Sequence, residues 1–302
     1  MFDIIVVGAG TAGLSAAIYA MRAGKTVLLL EEKNYGGQII NTPQVENYPG
    51  IKQISGYDFA TNLYEQAIEL GAKIEYEKVI KIKQNKGDME KQVVTKDNCY
   101  ICKSVILATG SKNRRLGLEK EEEFTGAGIS YCATCDGIFF RGKEVAVAGG
   151  GNTALEDAMF LSNYCSKVYL IHRREEFRGE EKQLLALREK ENVEFVLNAI
   201  VTDIRGREAL EGIQVKDIKT DEIKELAVAG LFVAIGQMPE NSDFADVIAL
   251  DKQGYIVADE SCQTNTEGIF TAGDCRTKKV RQLATAASDG AVAALAACEY
   301  IG

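Results

Sequence analysis

Asp3-Ile4-Ile5-Val6-Val7-Gly8-Ala9-Gly10-Thr11-Ala12-Gly13 is the stretch whose reading decides the fold. An apolar run of strand length meets three glycines spaced G-x-G-x-x-G, and Leu14-Ser15-Ala16-Ala17-Ile18 carries on as a helix. The pattern predicts a strand over 3–8, a turn, a helix over 12–23 and a second strand from Lys25 to Glu31, which is a βαβ unit. In such a unit the first glycine permits the tight turn and the second lets backbone approach a pyrophosphate. The third allows close helix–strand packing. The helix start then offers unpaired N–H groups and partial positive charge to phosphates. Glu31 ends the second strand, about twenty residues on, where a carboxylate accepts from ribose hydroxyls, with Glu32 as the alternative ligand. An ordinary glycine turn needs none of these accompaniments. Residues 4–21 carry no charge, so a membrane helix must be weighed. Gly8, Gly10 and Gly13 break the run and no basic segment precedes it, so neither a span nor a signal peptide is expected, and the expected location is cytoplasmic.

The same logic returns at Gly149-x-Gly151-x-x-Ala154. It follows the strand-like run Glu144–Ala148 and precedes a helix from about Thr153 to Tyr164 and a strand over Lys167–Ile171. This strand ends in His172-Arg173-Arg174, with Arg178 close behind and no acid at the ribose position. A carboxylate there would repel a 2′-phosphate, whereas guanidinium groups bind phosphate through paired N–H donors, so NADPH is favoured over NADH. The competing reading is a solvated face on which Glu175, Glu176, Glu180 and Glu181 pair with the arginines. His172, the single histidine, suits a ribose or phosphate contact better than a catalytic base, and no G-x-S-x-G elbow supports a serine triad.

Two fingerprints in 302 residues, each followed by β-rich sequence and a strand closing on glycine, predict an α/β chain of two Rossmann-like three-layer dinucleotide-binding domains. Between them lie an amphipathic helix over 57–70 and short strands over 73–107 with a turn at Lys86-Gly87-Asp88, closing on Ala108-Thr109-Gly110. Further strand-like runs fall near 193–197, 200–204, 211–218 and 231–236, and an alanine-rich helix is expected from about Gln282 to Tyr300. The segment after 242 has no fingerprint, so it is expected to complete the first domain. That gives 1–112 with 242–302, and 113–241 as an insertion. A net charge of −9 argues against nucleic acid as a partner.

Cys132-Ala133-Thr134-Cys135-Asp136 lies between the fingerprints. Eight cysteines are too sparse for a disulfide scaffold, and this spacing suits a dithiol that closes and opens a small ring. Exchange needs a thiolate attacker and a leaving sulfur that can be protonated. Asp136 is placed to move that proton, or else to cap the turn before Gly137. Cys99 and Cys102 raise the alternative of a four-cysteine zinc site. Residues three apart on a strand face opposite sides, so no metal site is expected. Cys165, Cys262, Cys275 and Cys298 read as small buried thiols.

Taken together, Cys132–Gly137, Gly149-Gly150-Gly151-Asn152-Thr153-Ala154 and His172–Arg178 closely resemble the low-molecular-weight thioredoxin reductases. Gly36-Gly37-Gln38, Glu46-Asn47-Tyr48-Pro49-Gly50 and Thr271-Ala272-Gly273-Asp274 extend the resemblance over essentially the whole chain. It implies thioredoxin-disulfide reductase activity, with FAD in the first domain, NADPH in the second, and the cysteine pair on the NADPH domain facing the flavin. The FAD contacts it implies are Gly8, Gly10, Ala12, Gly13, Glu31, Gly37, Gln38, Asn47, Ala108, Thr109, Gly110, Gly273, Asp274, Arg281, Gln282 and Ala284. Those for NADPH are Gly151, Asn152, Thr153, His172, Arg173, Arg174 and Arg178. By the same resemblance Cys135 is the flavin-side thiol, Cys132 the interchange thiol and Asp136 the acid. The partner it implies is thioredoxin or a glutaredoxin-like protein, and the assembly a homodimer whose NADPH domain rotates. Thr11, where relatives often carry proline, and Ser111–Arg115, which lacks a common proline, depart from the pattern away from the chemistry. A ferredoxin-dependent reductase or a dithiol oxidase of the same fold would not need the arginines, and a non-enzymatic binding module would not need the dithiol.

Overall fold

The computed structural model describes residues 1–42, 44–84 and 90–302, so the turn expected at Lys86-Gly87-Asp88 lies outside the described residues. The chain forms two compact units, one of residues 1–112 and 238–302, the other of residues 113–237.

In the first unit, Phe2–Val7 pairs in parallel with Val27–Leu30 on one side and Cys99–Leu107 on the other. Lys73–Glu75 extends the sheet beyond Val27–Leu30, and Ile269–Thr271 runs parallel to the end of Cys99–Leu107. The start of that long strand pairs antiparallel with Lys91–Thr95, which pairs with Val79–Gln84. Ile4, Ile5, Val6 and Val7 are all buried, because both faces of this strand are covered. That is why its sequence is a continuous apolar run rather than an alternation. Helices Thr11–Arg22 and Leu283–Ile301 pack against each other through Ala12, Ala16, Ala17, Ala293, Ala294 and Ala297. The helices approach closely at Gly290, where a Cβ would lie 2.3 Å from the Ala12 carbonyl oxygen. An alanine-rich helix is therefore what this contact requires.

The second unit is layered in the same sense. A parallel sheet runs in the order Val193–Leu197, Lys167–His172, Glu144–Gly149, Gly230–Ala234, Ile129–Ser130. Helix Asn152–Ser162 covers one face through Ala154, Leu155, Ala158 and Leu161. An antiparallel sheet of Ala199–Gly206, Leu210–Asp217 and Ile223–Leu226 packs Val201, Ile204, Ile213 and Val215 over the other face, against Ala146, Ala148 and Ile171. Helix Glu181–Arg188, strand Ile223–Leu226 and the helical turn Ala133–Asp136 are elements the sequence pattern did not announce.

Residues 238–241, assigned above to the second domain, group with the first unit. The reason is Asn241, 1% exposed, which donates through Nδ2 to the carbonyls of Gly254 and Cys275 and accepts from the Thr109 hydroxyl at 2.7 Å. These bonds tie its segment to three loops of that unit.

A buried ion cluster fixes the loop after Ile269–Thr271. The Asp289 carboxylate accepts from Arg276 through Nε and Nη2, each at 2.8 Å, from Lys278 Nζ at 2.8 Å and from the Gly273 backbone N–H at 2.9 Å. Burial pushes the Asp289 carboxyl up, but the bonds from Arg276 and Lys278 outweigh it and hold it below the usual range. A carboxyl depressed in the fold stabilises fully above its unfolded value, near 4, and loses that contribution as pH falls through the folded value. Asp289→Asn leaves buried Lys278 without this counter-charge and Arg276 with only the exposed Glu260 at 3.5 Å, and a loss of roughly 3–5 kcal/mol in urea unfolding is expected at neutral pH. The gap between variant and parent should narrow as the medium is acidified below about pH 4.

Candidate active site

Cys132 and Cys135 are joined in a disulfide with Cα atoms 5.3 Å apart. They lie on the turn Ala133–Asp136, with Cys132 in the extended conformation just before it. The carbonyl of Cys132 accepts from the backbone N–H groups of Cys135, at 3.2 Å, and Asp136, at 3.1 Å, which closes the turn on the sulfur ring. One hydroxyl links the ring to the acid: Ser130 Oγ donates to Asp136 Oδ2 at 2.6 Å and accepts from the Cys132 N–H at 3.1 Å. Burial raises the Asp136 carboxyl above its ordinary value, while the Ser130 bond pulls the other way. The group therefore keeps its proton to higher pH than a free aspartate, as a proton donor to sulfur should. Ser130 gave no signal in the sequence, since its role comes from the strand Ile129–Ser130 ending beside the turn.

The other six cysteines are free thiols, Cys99 exposed and its strand neighbour Cys102 buried. Burial drives Cys102 and Cys262 up to about 12 and Cys165 up to about 11, so these thiols stay protonated and unreactive. No group of three metal-ligating side chains occurs among the described residues.

In the first unit the glycine turn is shaped by contact. A Cβ on Gly8, whose φ is +103°, would lie 2.4 Å from the Ala108 carbonyl oxygen, and one on Gly13 would lie 1.8 Å from that of Gly8. Gly10 begins the helix Thr11–Arg22, with no side chain capping it. Glu31 accepts from the Ala9 N–H at 2.8 Å through one oxygen and from the Lys33 N–H at 3.0 Å through the other, which brings it to the turn. Gly37 passes the same turn, where a Cβ would sit 3.2 Å from Gly10 Cα. A Cβ on Gly273 would lie 2.8 Å from that of Ala12, so the Gly273-Asp274 loop joins them. Gln38 donates to the Ser111 carbonyl, beyond Ala108-Thr109-Gly110. Asn47 Nδ2 donates to Gln282 Oε1 at 3.1 Å, and Gln282 caps the helix that carries Ala284 in its first turn. Arg281 donates to the Asp274 carbonyl at 3.3 Å and lies over the Tyr255 ring. The expected first-unit residues thus gather around one helix start and the loops beside it.

In the second unit Gly151 begins helix Asn152–Ser162, again without a side-chain cap, and a Cβ on it would meet nothing within 4 Å. Asn152 and Thr153 are exposed in the first turn, and Asn152 Oδ1 accepts from the Glu180 N–H at 2.8 Å. The Arg178 N–H donates to the Gly150 carbonyl at 2.8 Å, which brings the arginine segment back to the glycine turn. Arg173, Arg174 and Arg178 are exposed, and none is in an ion pair among the described residues. The carboxylate pairing considered above is not formed; Glu175 pairs with Lys219 instead. His172 is buried, 5% exposed, its ring filling the space a Gly150 side chain would need and its Nε2 bonded to the Glu176 carbonyl. Burial first, and then the neighbouring arginines, lower its pKa, so it stays neutral.

Residues 2–291 match the model of the pyridine nucleotide-disulphide oxidoreductase family. The chain belongs to that family. It is 44% identical over 301 residues to a thioredoxin reductase of Treponema pallidum, covering 99% of this chain and 97% of that one. A thioredoxin reductase of Helicobacter pylori is 41% identical over 309 residues, covering 100% of this chain and 99% of its own. The crystal structure of thioredoxin reductase from Streptococcus pyogenes superimposes with a TM-score of 0.94 at 36% identity, covering 99% of this chain and 98% of that one. This pyridine nucleotide-disulphide oxidoreductase therefore has the Rossmann-like α/β fold expected, and membership implies FAD and NADPH as cofactors.

The residues present fit both groups. Among the described residues Asp274 Oδ1 is buried and has no partner, beside the first glycine turn, and burial raises its carboxyl; such an acceptor suits a hydroxyl of a bound dinucleotide. The open Gly151 and three unpaired guanidiniums suit a phosphorylated one. No helix among the described residues is long and apolar enough to cross a membrane. Thiol titration of the unfolded, unreduced protein should find 6 thiols, and 8 after reduction, with Cys132 and Cys135 the two that appear. A count of 8 before reduction contradicts the disulfide.

Proposed function

We propose that this chain is an NADPH-dependent reductase of the disulfide in thioredoxin or a glutaredoxin-like small redox protein. The observation that carries the reading is the Cys132–Cys135 disulfide set on a turn with a proton-holding Asp136, in a member of this family. The cofactor roles proposed are FAD at Gly8–Gly13, Glu31, Gly37, Gln38, Asn47, Ala108–Gly110, Gly273, Asp274, Arg281, Gln282 and Ala284. NADPH is proposed at Gly151–Thr153 and the arginines, with His172 holding the glycine turn from beneath. When bound, NADPH supplies a hydride and FAD passes the electron pair on to a disulfide.

The chain's own residues perform the exchange. An electron pair breaks the Cys132–Cys135 bond, and the Asp136 carboxyl protonates one of the two sulfurs. The Cys132 thiolate then attacks the partner's disulfide: a Cys132–sulfur bond forms, the partner's bond breaks, and the departing sulfur takes a proton. Cys135 next attacks Cys132, which restores the internal disulfide and releases the second partner sulfur as a thiol. Ser130 keeps Asp136 aimed at this turn. Thr134 is exposed between the cysteines, and Cys132 and Cys135 are both partly exposed, so the turn is open to an outside disulfide; that Cys132 attacks is carried by the family resemblance. A cytoplasmic location suits six free cysteines, and a homodimer suits Tyr19, Val292 and Leu295, which stand exposed on two helices packed together.

In Cys132→Ser the reading expects no reduction of thioredoxin, with NADPH still bleaching the bound flavin under anaerobic conditions. Turnover of thioredoxin by that variant would refute the assignment. For coenzyme choice, the double variant Arg173→Ala with Arg178→Ala should raise KM for NADPH by about tenfold or more, as expected for losing charged hydrogen bonds to phosphate. KM for NADH should change by less than about twofold, since NADH carries no phosphate for the arginines to bind. Equal losses for the two coenzymes would remove the 2′-phosphate reading.

A further inference from the structure

The cysteine turn holds a hydroxyl directly against one of its sulfurs. Thr134 Oγ1 lies 3.4 Å from Cys132 Sγ. Both sulfurs are tied in the disulfide and carry no proton, so the hydroxyl is the donor of this bond. Two features bring it there. The Cys132 carbonyl accepts from the N–H groups of Cys135 and Asp136, at 3.2 and 3.1 Å, which curls the chain so that residue 134 comes back beside residue 132. Ala133 and Gly137 seat the turn on the core. Ala133 is fully buried, in a cluster with Val145, Val147, Ala158 and Leu161, and a Cβ on Gly137 would lie 2.9 Å from Leu161 Cδ2. With these two residues inward, Thr134 is left exposed and Cys132 partly exposed. No other side chain among the described residues hydrogen-bonds to Cys132 Sγ. A reactive thiol usually owes its thiolate to a neighbouring cation or to the start of a helix. Here no cation bonds to the sulfur, and the helix is a single turn of four residues.

We propose that Thr134 is a catalytic residue: its hydroxyl donates to Cys132 Sγ and stabilises the thiolate that attacks the partner's disulfide. The proposal rests on the proposed function in taking Cys132 as the attacking sulfur. When an electron pair opens the disulfide, one sulfur takes a proton from Asp136 and the other keeps the negative charge. The Thr134 hydroxyl keeps its own proton and directs it at Cys132, so charge is favoured there and the proton on Cys135. A hydrogen bond to the charged form strengthens as the charge develops and lowers the pH at which that form appears. The thiolate is then more abundant near neutrality, while each one is less nucleophilic, by slightly under half of the gain. As Cys132 bonds to the partner it gives up its charge, and the Thr134 bond weakens again.

The test uses the FAD-loaded full chain carrying Cys135→Ser, which leaves Cys132 as the one thiol of the pair and removes coupled titration. Iodoacetamide alkylation of the peptide holding Cys132 is followed by mass from about pH 5.5 to 10, where the rate tracks the thiolate. Thr134→Val keeps the branched shape and removes the hydroxyl; Thr134→Ser keeps the hydroxyl. Water competes at this exposed site, so Thr134→Val should raise the midpoint by about half a pH unit. Alkylation should be about twofold slower near pH 6 and about 1.5- to 2-fold faster on the alkaline plateau, so that the two profiles cross. Thr134→Ser should follow the parent. A change of access alone would scale the rate by one factor at every pH. A Thr134→Val profile that superimposes on the parent's, or is only scaled from it, overturns the proposal, as does a Thr134→Ser profile that matches Thr134→Val. The alkylation needs neither NADPH nor a partner protein, so a failure of NADPH to reduce the parent's disulfide counts against the proposed function and leaves the Thr134 comparison standing.

Discussion

Both units depend on backbone passing backbone too closely for a side chain to stand between. At the first turn a Cβ on Gly13 would overlap the Gly8 carbonyl oxygen, and one on Gly8 would crowd the Ala108 carbonyl. At the second turn the third position is Ala154, and the crowding falls on Gly149, whose absent Cβ would lie 2.8 Å from that of Ala154 and 2.3 Å from the Ala234 oxygen. The result is the same in each case. The helix begins directly above the strand end, its first residue is preceded by a glycine, and no side chain satisfies its first N–H groups. Those groups, with the helix dipole behind them, remain available to an anion.

The two turns differ in the charge placed beyond them, and that difference separates their partners. Glu31 is fixed by two backbone N–H groups, so a carboxylate is locked beside the first turn. Beside the second, neutral His172 packs under Gly150 while three guanidiniums stand free in solvent. A fixed anion rejects an extra phosphate; unpaired guanidiniums attract one. The separation needs no change of fold, only a change in the residues that follow a strand.

The turns, the strands feeding them and the cysteine ring were legible because their signals are local. Glycine spacing, an apolar run and a two-residue gap between cysteines each lie within about a dozen consecutive residues. Asn241 was misplaced because its bonds reach Thr109, Gly254 and Cys275, and no window of sequence contains all four. Ser130 escaped for the same reason at shorter range, since a serine ending a two-residue strand has no distinguishing pattern. Sequence leaves open whether the basic cluster pairs with the adjacent glutamates, because side-chain direction is not legible there; in the fold Glu175 turns to Lys219.

Three aspartates are withdrawn from water in three ways, and the contrast sorts structural from chemical roles. Asp289 meets two cations and a backbone N–H, so its charge is retained and its carboxyl is depressed. Asp136 meets one hydroxyl, and Asp274 keeps an oxygen with no partner among the described residues; burial raises both. A fold selected only for stability has no use for two acids that would be more stable replaced by apolar groups of similar size. One lies at the cysteine turn, where the proposed exchange requires a proton to move. The other lies beside the first glycine turn, where a hydroxyl-bearing ligand would supply the missing donor. Their cost is borne at the points where protons or ligands have to be exchanged.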